Sequence, residues 1–151
     1  MKKNFILLII FLFLQNCGYT PIFSNYNDQK INFNIVEIKG NDEMNNILKL
    51  HMKKYSNKSN EQKIDLKIKT DSQKSILSKN KKGEATSYSI YSFIEFEIVN
   101  TRKPKILTFQ ENTKTSKINN EFELNRYENT IRTNFIINKI NDLVLNLVSN
   151  K

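Results

Sequence analysis

The stretch INFNIVEIKGNDEMNNILKLHMKKY (31–55) decides the fold, because its hydrophobic period changes from two residues to about 3.6 within it. Ile31, Phe33 and Ile35 alternate with polar residues, and the run continues through Val36 and Ile38, which predicts a strand with one buried face. The letters GND then end the strand and offer a helix cap. From Asp42 to Tyr55 the apolar residues share one helical face, so the stretch predicts a strand followed by a helix. That face carries Met44, Ile47, Leu48, His51 and Tyr55.

The alternating period returns three times after a polar linker, and each return predicts a further strand. The first of these strands contains Ile64, Leu66 and Ile68. The second runs from Thr86 to Val99, and the third runs from Lys105 to Thr115. Residues 121–151 hold a long helix, which we expect to begin near Asn125 or Tyr127.

This order of elements limits the topology. A helix that crosses between the first two strands makes them parallel, whereas the last three strands can follow as a meander. We therefore expect residues 31–151 to form one α/β (α+β) two-layer sandwich of order β-α-β-β-β-α. Its sheet is mixed and four-stranded, with two helices on one face.

The N-terminus has the pattern of an export signal. Lys2 and Lys3 precede the unbroken apolar run FILLIIFLFL (5–14), which is too short to span a bilayer, since a spanning helix needs ~20 apolar residues. The letters LQNCG (14–18) follow and resemble the lipobox of bacterial lipoproteins, in which the cysteine is lipidated after cleavage. We therefore expect a signal peptide over residues 1–16.

Cys17 is the only cysteine of the chain, and it stands where lipoprotein chemistry needs a thiol. We expect a covalent lipid on Cys17, a tether over residues 17–30, and no cofactor besides that lipid. Gly18 is not the aspartate that retains lipoproteins at the inner membrane, which favours the outer membrane with the domain on its periplasmic side. Asn16 departs from the small residue usual before the cysteine. A secretory leader or an uncleaved anchor with a coincidental cysteine is the alternative.

Charge and composition narrow the classes of partner. The net charge of +9 favours anionic partners. An exported protein meets phospholipid head groups and phosphorylated glycolipids rather than nucleic acid, so we expect no nucleic-acid partner. Lys, Asn and Ile make up 64 of the 151 residues, so compositional bias alone accounts for many of the lysines.

No set of catalytic residues stands out in the sequence. The single histidine, His51, lies on an apolar helix face, where a packed structural role is the simpler interpretation, and no second histidine completes a metal site. Three glycines leave no phosphate-binding loop, and the acidic residues are scattered. We therefore expect neither enzymatic activity nor a metal site.

Three features together resemble a known family. They are the start CGYTPI (17–22), the order of elements, and the stretch 120–149, in which Tyr127 leads into a helix carrying Leu143 and Leu147. These features resemble the LPS-assembly lipoprotein LptE family in its alphaproteobacterial form. The resemblance implies a non-enzymatic outer-membrane lipoprotein that plugs an LptD-like barrel and assists its assembly. It also implies binding of lipopolysaccharide and help in its transport to the outer leaflet.

Two basic turns are candidate contacts for lipopolysaccharide phosphate or for the barrel wall, since lysine binds phosphate as a point charge. Their residues are Lys79, Lys81 and Lys82 in one turn and Arg102, Lys103 and Lys105 in the next. Solvated turns in a lysine-rich chain are the alternative.

Two other functions stay open for the whole protein: an amphiphile carrier without a barrel partner, and a structural lipoprotein of the envelope. A carrier needs an apolar cavity between the layers, whereas we expect Phe33, Phe96 and Phe135 to fill that space.

Overall fold

The computed structural model describes residues 31–56, 62–100 and 104–149, which form four strands and two helices in the expected order. The strands are β1 (Ile31–Gly40), β2 (Gln62–Lys79), β3 (Ala85–Ile98) and β4 (Lys105–Ser116). The helices are α1 (Asp42–Met52), continued by a 3₁₀ turn (Lys53–Tyr55), and α2 (Glu121–Val148). Within the described ranges, neither helix is long and apolar enough to cross a membrane. The expected signal peptide (1–16) and tether (17–30) lie outside these ranges.

The four strands form one mixed sheet in the order β1-β2-β3-β4. β1 is parallel to β2, whereas β2–β3 and β3–β4 are antiparallel, so the expected crossover and meander are confirmed. Both helices pack on one face, which makes the two-layer α+β sandwich.

A bulge and a glycine shape the end of β1, and the cap residue of α1 follows them. The register shifts between Ile35 and Glu37, which turns Val36 to solvent and brings Ile38 opposite Ile68 on the core face. Gly40 has φ +112° and lies so close to β2 that a Cβ would come within 1.8 Å of the carbonyl oxygen of Thr70.

The hydrophobic core lies between the sheet and the helices. Leu66 and Phe96 from the sheet and Leu48 and Ile136 from the helices are fully buried. The aromatic residues expected there are buried as well; they are Phe33, Phe96 and Phe135. Packed side chains therefore fill the space between the layers. An amphiphile carrier would need an apolar cavity there, so this packing gives that alternative no support.

β2 runs to Lys79, where the first basic turn is expected, and Thr70, Ser72 and Lys74 continue its inner face. One boundary differs from that expected. The expected start of α2 near Asn125 or Tyr127 is wrong, since the helix begins at Glu121. Asn120 caps it, and its Oδ1 accepts hydrogen bonds from the backbone N–H groups of Phe122 (2.9 Å) and Glu123 (3.3 Å).

Candidate functional site

The candidate site is the part of the β2–β3 hairpin that extends beyond β1. Pairing between β1 and β2 ends at Gly40 and Thr70, whereas β2 continues to Lys79 beside β3. We call residues 71–93 the arm. The body of the domain positions this arm, because both of its strands begin or end in the core.

A five-residue turn forms the tip of the arm. The N–H of Asn80 donates to the carbonyl oxygen of Glu84 (2.9 Å), and Oδ1 of Asn80 accepts from the N–H groups of Lys82 (2.9 Å) and Glu84 (3.0 Å). Gly83 supplies the positive φ of +82° that the turn requires. The side chain of Asn80 therefore fixes the backbone from which the tip lysines project.

The tip combines positive charge with apolar surface. Lys79, Lys81 and Lys82 are all exposed, so the structure brings the first predicted cluster together. Ile76 and Leu77 lie just before them and are 51% and 49% exposed. Ammonium groups next to exposed aliphatic side chains match an amphiphile with an anionic head group and acyl chains.

Lys105, the described residue of the second predicted cluster, lies at the other end of the sheet. Lys105 is the first residue of β4 and pairs with Ile98, whereas Lys79 pairs with Ala85. At ~3.3 Å per strand residue, these two levels of β3 are about 43 Å apart. Arg102, Lys103 and Cys17 lie outside the described residues. Of the second cluster, the described residue Lys105 therefore does not share a binding site with the tip lysines.

A charged cluster beneath α2 holds the arm to the body. Glu128 is buried and forms ion pairs with Lys74 of β2 and with Arg132 one turn along the helix, at 3.3 Å. Arg132 also contacts Glu43 of α1 (3.1 Å) and donates from Nε to Oγ of Ser72 (3.1 Å). Three elements thus converge on this cluster, and its opposite charges largely cancel.

The sheet face opposite the helices carries paired charges near β1. Lys39 forms an ion pair with Glu37 and lowers the pKa of that carboxyl group, chiefly through a hydrogen bond. Lys69 contacts Glu95 at 3.0 Å, and this hydrogen bond raises the pKa of the Lys69 ammonium group. Because both pairs are exposed, we expect them to contribute little to stability. This part of the face presents balanced charge, unlike the basic tip.

The described residues offer no obvious metal-binding group. Across the three described ranges, no three His, Cys, Asp or Glu side chains come together as ligands. His51 lies half-buried on α1.

The sequence analysis does not predict the charged cluster around Glu128, although the sequence contains two weak signals of it. Glu128 and Arg132 are spaced i,i+4, and Lys74 stands at an inward position of β2.

Comparison with known proteins bears on the fold. No family model matches the sequence, and no curated protein matches it. Among solved structures, the chain is similar to rare lipoprotein B from Shewanella oneidensis, with a TM-score of 0.51 and 13% identity. The match covers 76% of this chain and 98% of that protein. At this identity the similarity establishes a shared fold: the chain has the architecture of rare lipoprotein B.

Proposed function

We propose that this chain is an outer-membrane lipoprotein of the LptE kind, anchored through Cys17, that plugs an LptD-like barrel and assists lipopolysaccharide transport. The observation that carries the proposal is the combination of two independent features. One is the lipobox-like sequence at Cys17, and the other is a fold shared with a solved lipoprotein over nearly its whole length. Neither feature depends on the other.

The surface chemistry of the arm supports the lipopolysaccharide part of the proposal. Lipid A is a glycolipid that carries phosphate groups and several acyl chains. The tip offers three ammonium groups beside two half-exposed aliphatic side chains, so one small surface can contact both parts of such a molecule. Its residues are Ile76, Leu77, Lys79, Lys81 and Lys82.

Purification from outer membranes tests the barrel partnership. The full chain with a C-terminal tag is extracted in mild detergent and captured. We expect a large barrel protein to co-purify in stoichiometric amount. The variant Cys17→Ser behind an ordinary secretory leader serves as the control, because it removes the lipid and leaves the domain. Recovery of the intact chain without any barrel would contradict the partnership.

A charge-reversal experiment tests the role of the tip. Lys79, Lys81 and Lys82 are replaced together by Glu, and lipopolysaccharide binding is measured at low ionic strength, where exposed charges act most strongly. The matched control reverses three exposed lysines elsewhere, with the same change in net charge; they are Lys49, Lys53 and Lys54 of α1 and the turn that follows it. We expect the tip variant to bind at least tenfold more weakly than the control. Equal binding by both variants would show that only net charge matters.

A further inference from the structure

The edge of β2 loses its neighbour halfway along the strand. β1 accompanies this edge as far as Thr70, whose carbonyl oxygen accepts a hydrogen bond from the N–H of Asn41 (3.2 Å). From Asp71 to Ile76, no other described strand pairs with the edge, while β3 continues on the opposite side. A stretch of six residues is therefore unpaired on one side before the bulge at Leu77.

The pairing pattern identifies the backbone groups that point to this edge. The N–H of Val99 donates to the carbonyl oxygen of Asp65, so Asp65 faces β3, whereas the carbonyl oxygen of Thr70 faces β1. Because this direction alternates from residue to residue, every second residue after Thr70 presents its N–H and C=O to the unpaired edge. Those residues are Ser72, Lys74 and Ile76. Such a row of groups is a template for one more strand.

The first half of α2 lies over the inner face of this part of β2, since Glu128 contacts Lys74 and Arg132 contacts Ser72. α1 contacts α2 from Arg132 onward, and Ile136, Ile140 and Val144 are buried with α1 in the core. Earlier residues of the same helical row, Phe122 and Asn129, line an exposed groove of about 460 Å³. A strand added to β2 would continue the line of β1 and lie next to this groove.

The charge around the edge selects the occupant. Arg126 lines the groove, and the tip lysines stand at the end of β2 that the unpaired edge leads to. Glu128, the acidic group beneath the helix, is already paired with Lys74 and Arg132. A second copy of the chain would bring its own basic tip and a net charge of +9, so like charges would oppose it.

We propose that the unpaired edge of β2 and the groove of α2 bind an extended, acidic segment of a partner protein by strand addition. Backbone hydrogen bonds supply the affinity, and acidic side chains near Arg126 and the tip lysines supply the selectivity. This binding mode goes beyond the proposed function and does not rest on it, because it requires neither lipopolysaccharide nor a barrel.

The test uses a nine-residue peptide that alternates glutamate with valine, added to the full chain in detergent micelles. Amide exchange is followed residue by residue by NMR. Without peptide, we expect the amides of Gln73 and Ser75 to be protected, because they donate to β3, and those of Ser72, Lys74 and Ile76 to exchange freely. With peptide, the latter three should slow by at least tenfold. A peptide with lysine in place of glutamate should give no protection.

Two proline variants locate the binding edge. Ile76→Pro removes an N–H that points to the proposed edge, and Gln110→Pro makes the same change on the outer edge of β4. Gln110 also points away from the sheet, since the neighbouring bond from the N–H of Lys117 to the carbonyl oxygen of Thr86 sets the alternation. We expect Ile76→Pro to weaken peptide binding at least tenfold and Gln110→Pro to leave it unchanged.

A backbone N-methylated peptide gives the same information without altering the protein, should Ile76→Pro fail to fold. The N-methylated peptide should not bind, because its backbone can no longer donate hydrogen bonds to the edge of β2. The proposal is overturned if the acidic peptide protects no amide, if it protects the β4 edge equally, or if the lysine or N-methylated peptide binds as well.

Discussion

Arg132→Met is expected to destabilise the domain strongly although it alters no residue of the apolar core. Arg132 is 12% exposed in its side chain and joins α2 to both α1 and β2. Methionine keeps most of the aliphatic length and removes only the charge and the hydrogen-bond donors. The variant therefore isolates the electrostatic part of the contact from its packing.

The structure sets the expected magnitude. Removing one partner of a buried ion pair costs about 3–5 kcal/mol, because the other charge is left without compensation. Here Glu128 retains Lys74, whose side chain is 31% exposed, so we lower the expectation to about 2–3 kcal/mol. The lost contact with Glu43 adds less than about 1 kcal/mol, because that carboxylate is 44% exposed.

Urea unfolding at neutral pH measures this loss. With a slope of about 1.5 kcal/mol per molar urea, the midpoint should fall by roughly 1.3–2.7 M at unchanged slope. Arg126→Met, an exposed change on the same helix, is the control and should cost less than about 0.5 kcal/mol. The double variant Arg132→Met with Glu128→Leu should recover part of the loss, since no buried carboxylate then remains that has lost one of its two cationic partners. Additive losses, or a midpoint shift for Arg132→Met no larger than that of the control, would refute this account of the cluster.

Three further changes test local features by the same unfolding measurement. Ser92→Ala should stabilise the fold by about 1 kcal/mol, because the buried Oγ of Ser92 has no hydrogen-bond partner; a loss of stability would reveal one. Gly40→Ala should cost more than Gly83→Ala. Both have positive φ, but a Cβ at Gly40 meets β2, whereas nothing lies within 4 Å at Gly83, where about 1 kcal/mol is expected. Asn120→Ala should cost about 1 kcal/mol through loss of the α2 cap, and circular dichroism should show slightly reduced helix content.

The fold could be predicted from sequence where burial imposes a clear period. α1 and β3 each bury one continuous face, and β1 does so up to its bulge, so the apolar residues mark these elements and the crossover fixes their order. The start of α2 was missed for a physical reason. Its first two turns bury little, so no apolar stripe marks them. The sequence Asn120-Glu121-Phe122-Glu123, a cap residue followed at the third position by Glu, was the available signal.

The site was less accessible to sequence reasoning. The basic turn that contains Lys81 and Lys82 could be predicted, because its lysines are close together in the sequence. The cluster around Glu128 brings together residues from three elements, and no local pattern predicts which of many charged residues is buried. The unpaired edge of β2 was equally hidden, since it depends on where β1 ends relative to a strand more than twenty residues later.

The length of β2 connects the proposed anchor with the proposed contact. Ile31 pairs with Gln62, so the chain enters the domain at the end of the sheet opposite the tip. β2 has 18 residues, which at ~3.3 Å each span roughly 55–60 Å, more than the ~40–45 Å thickness of a bilayer with its head groups. Under the proposed anchoring, a domain seated within a barrel could thus keep its base near the periplasmic leaflet and present the tip near the outer leaflet. The length of β2, together with the charge of the tip, is therefore compatible with the proposed position inside a barrel.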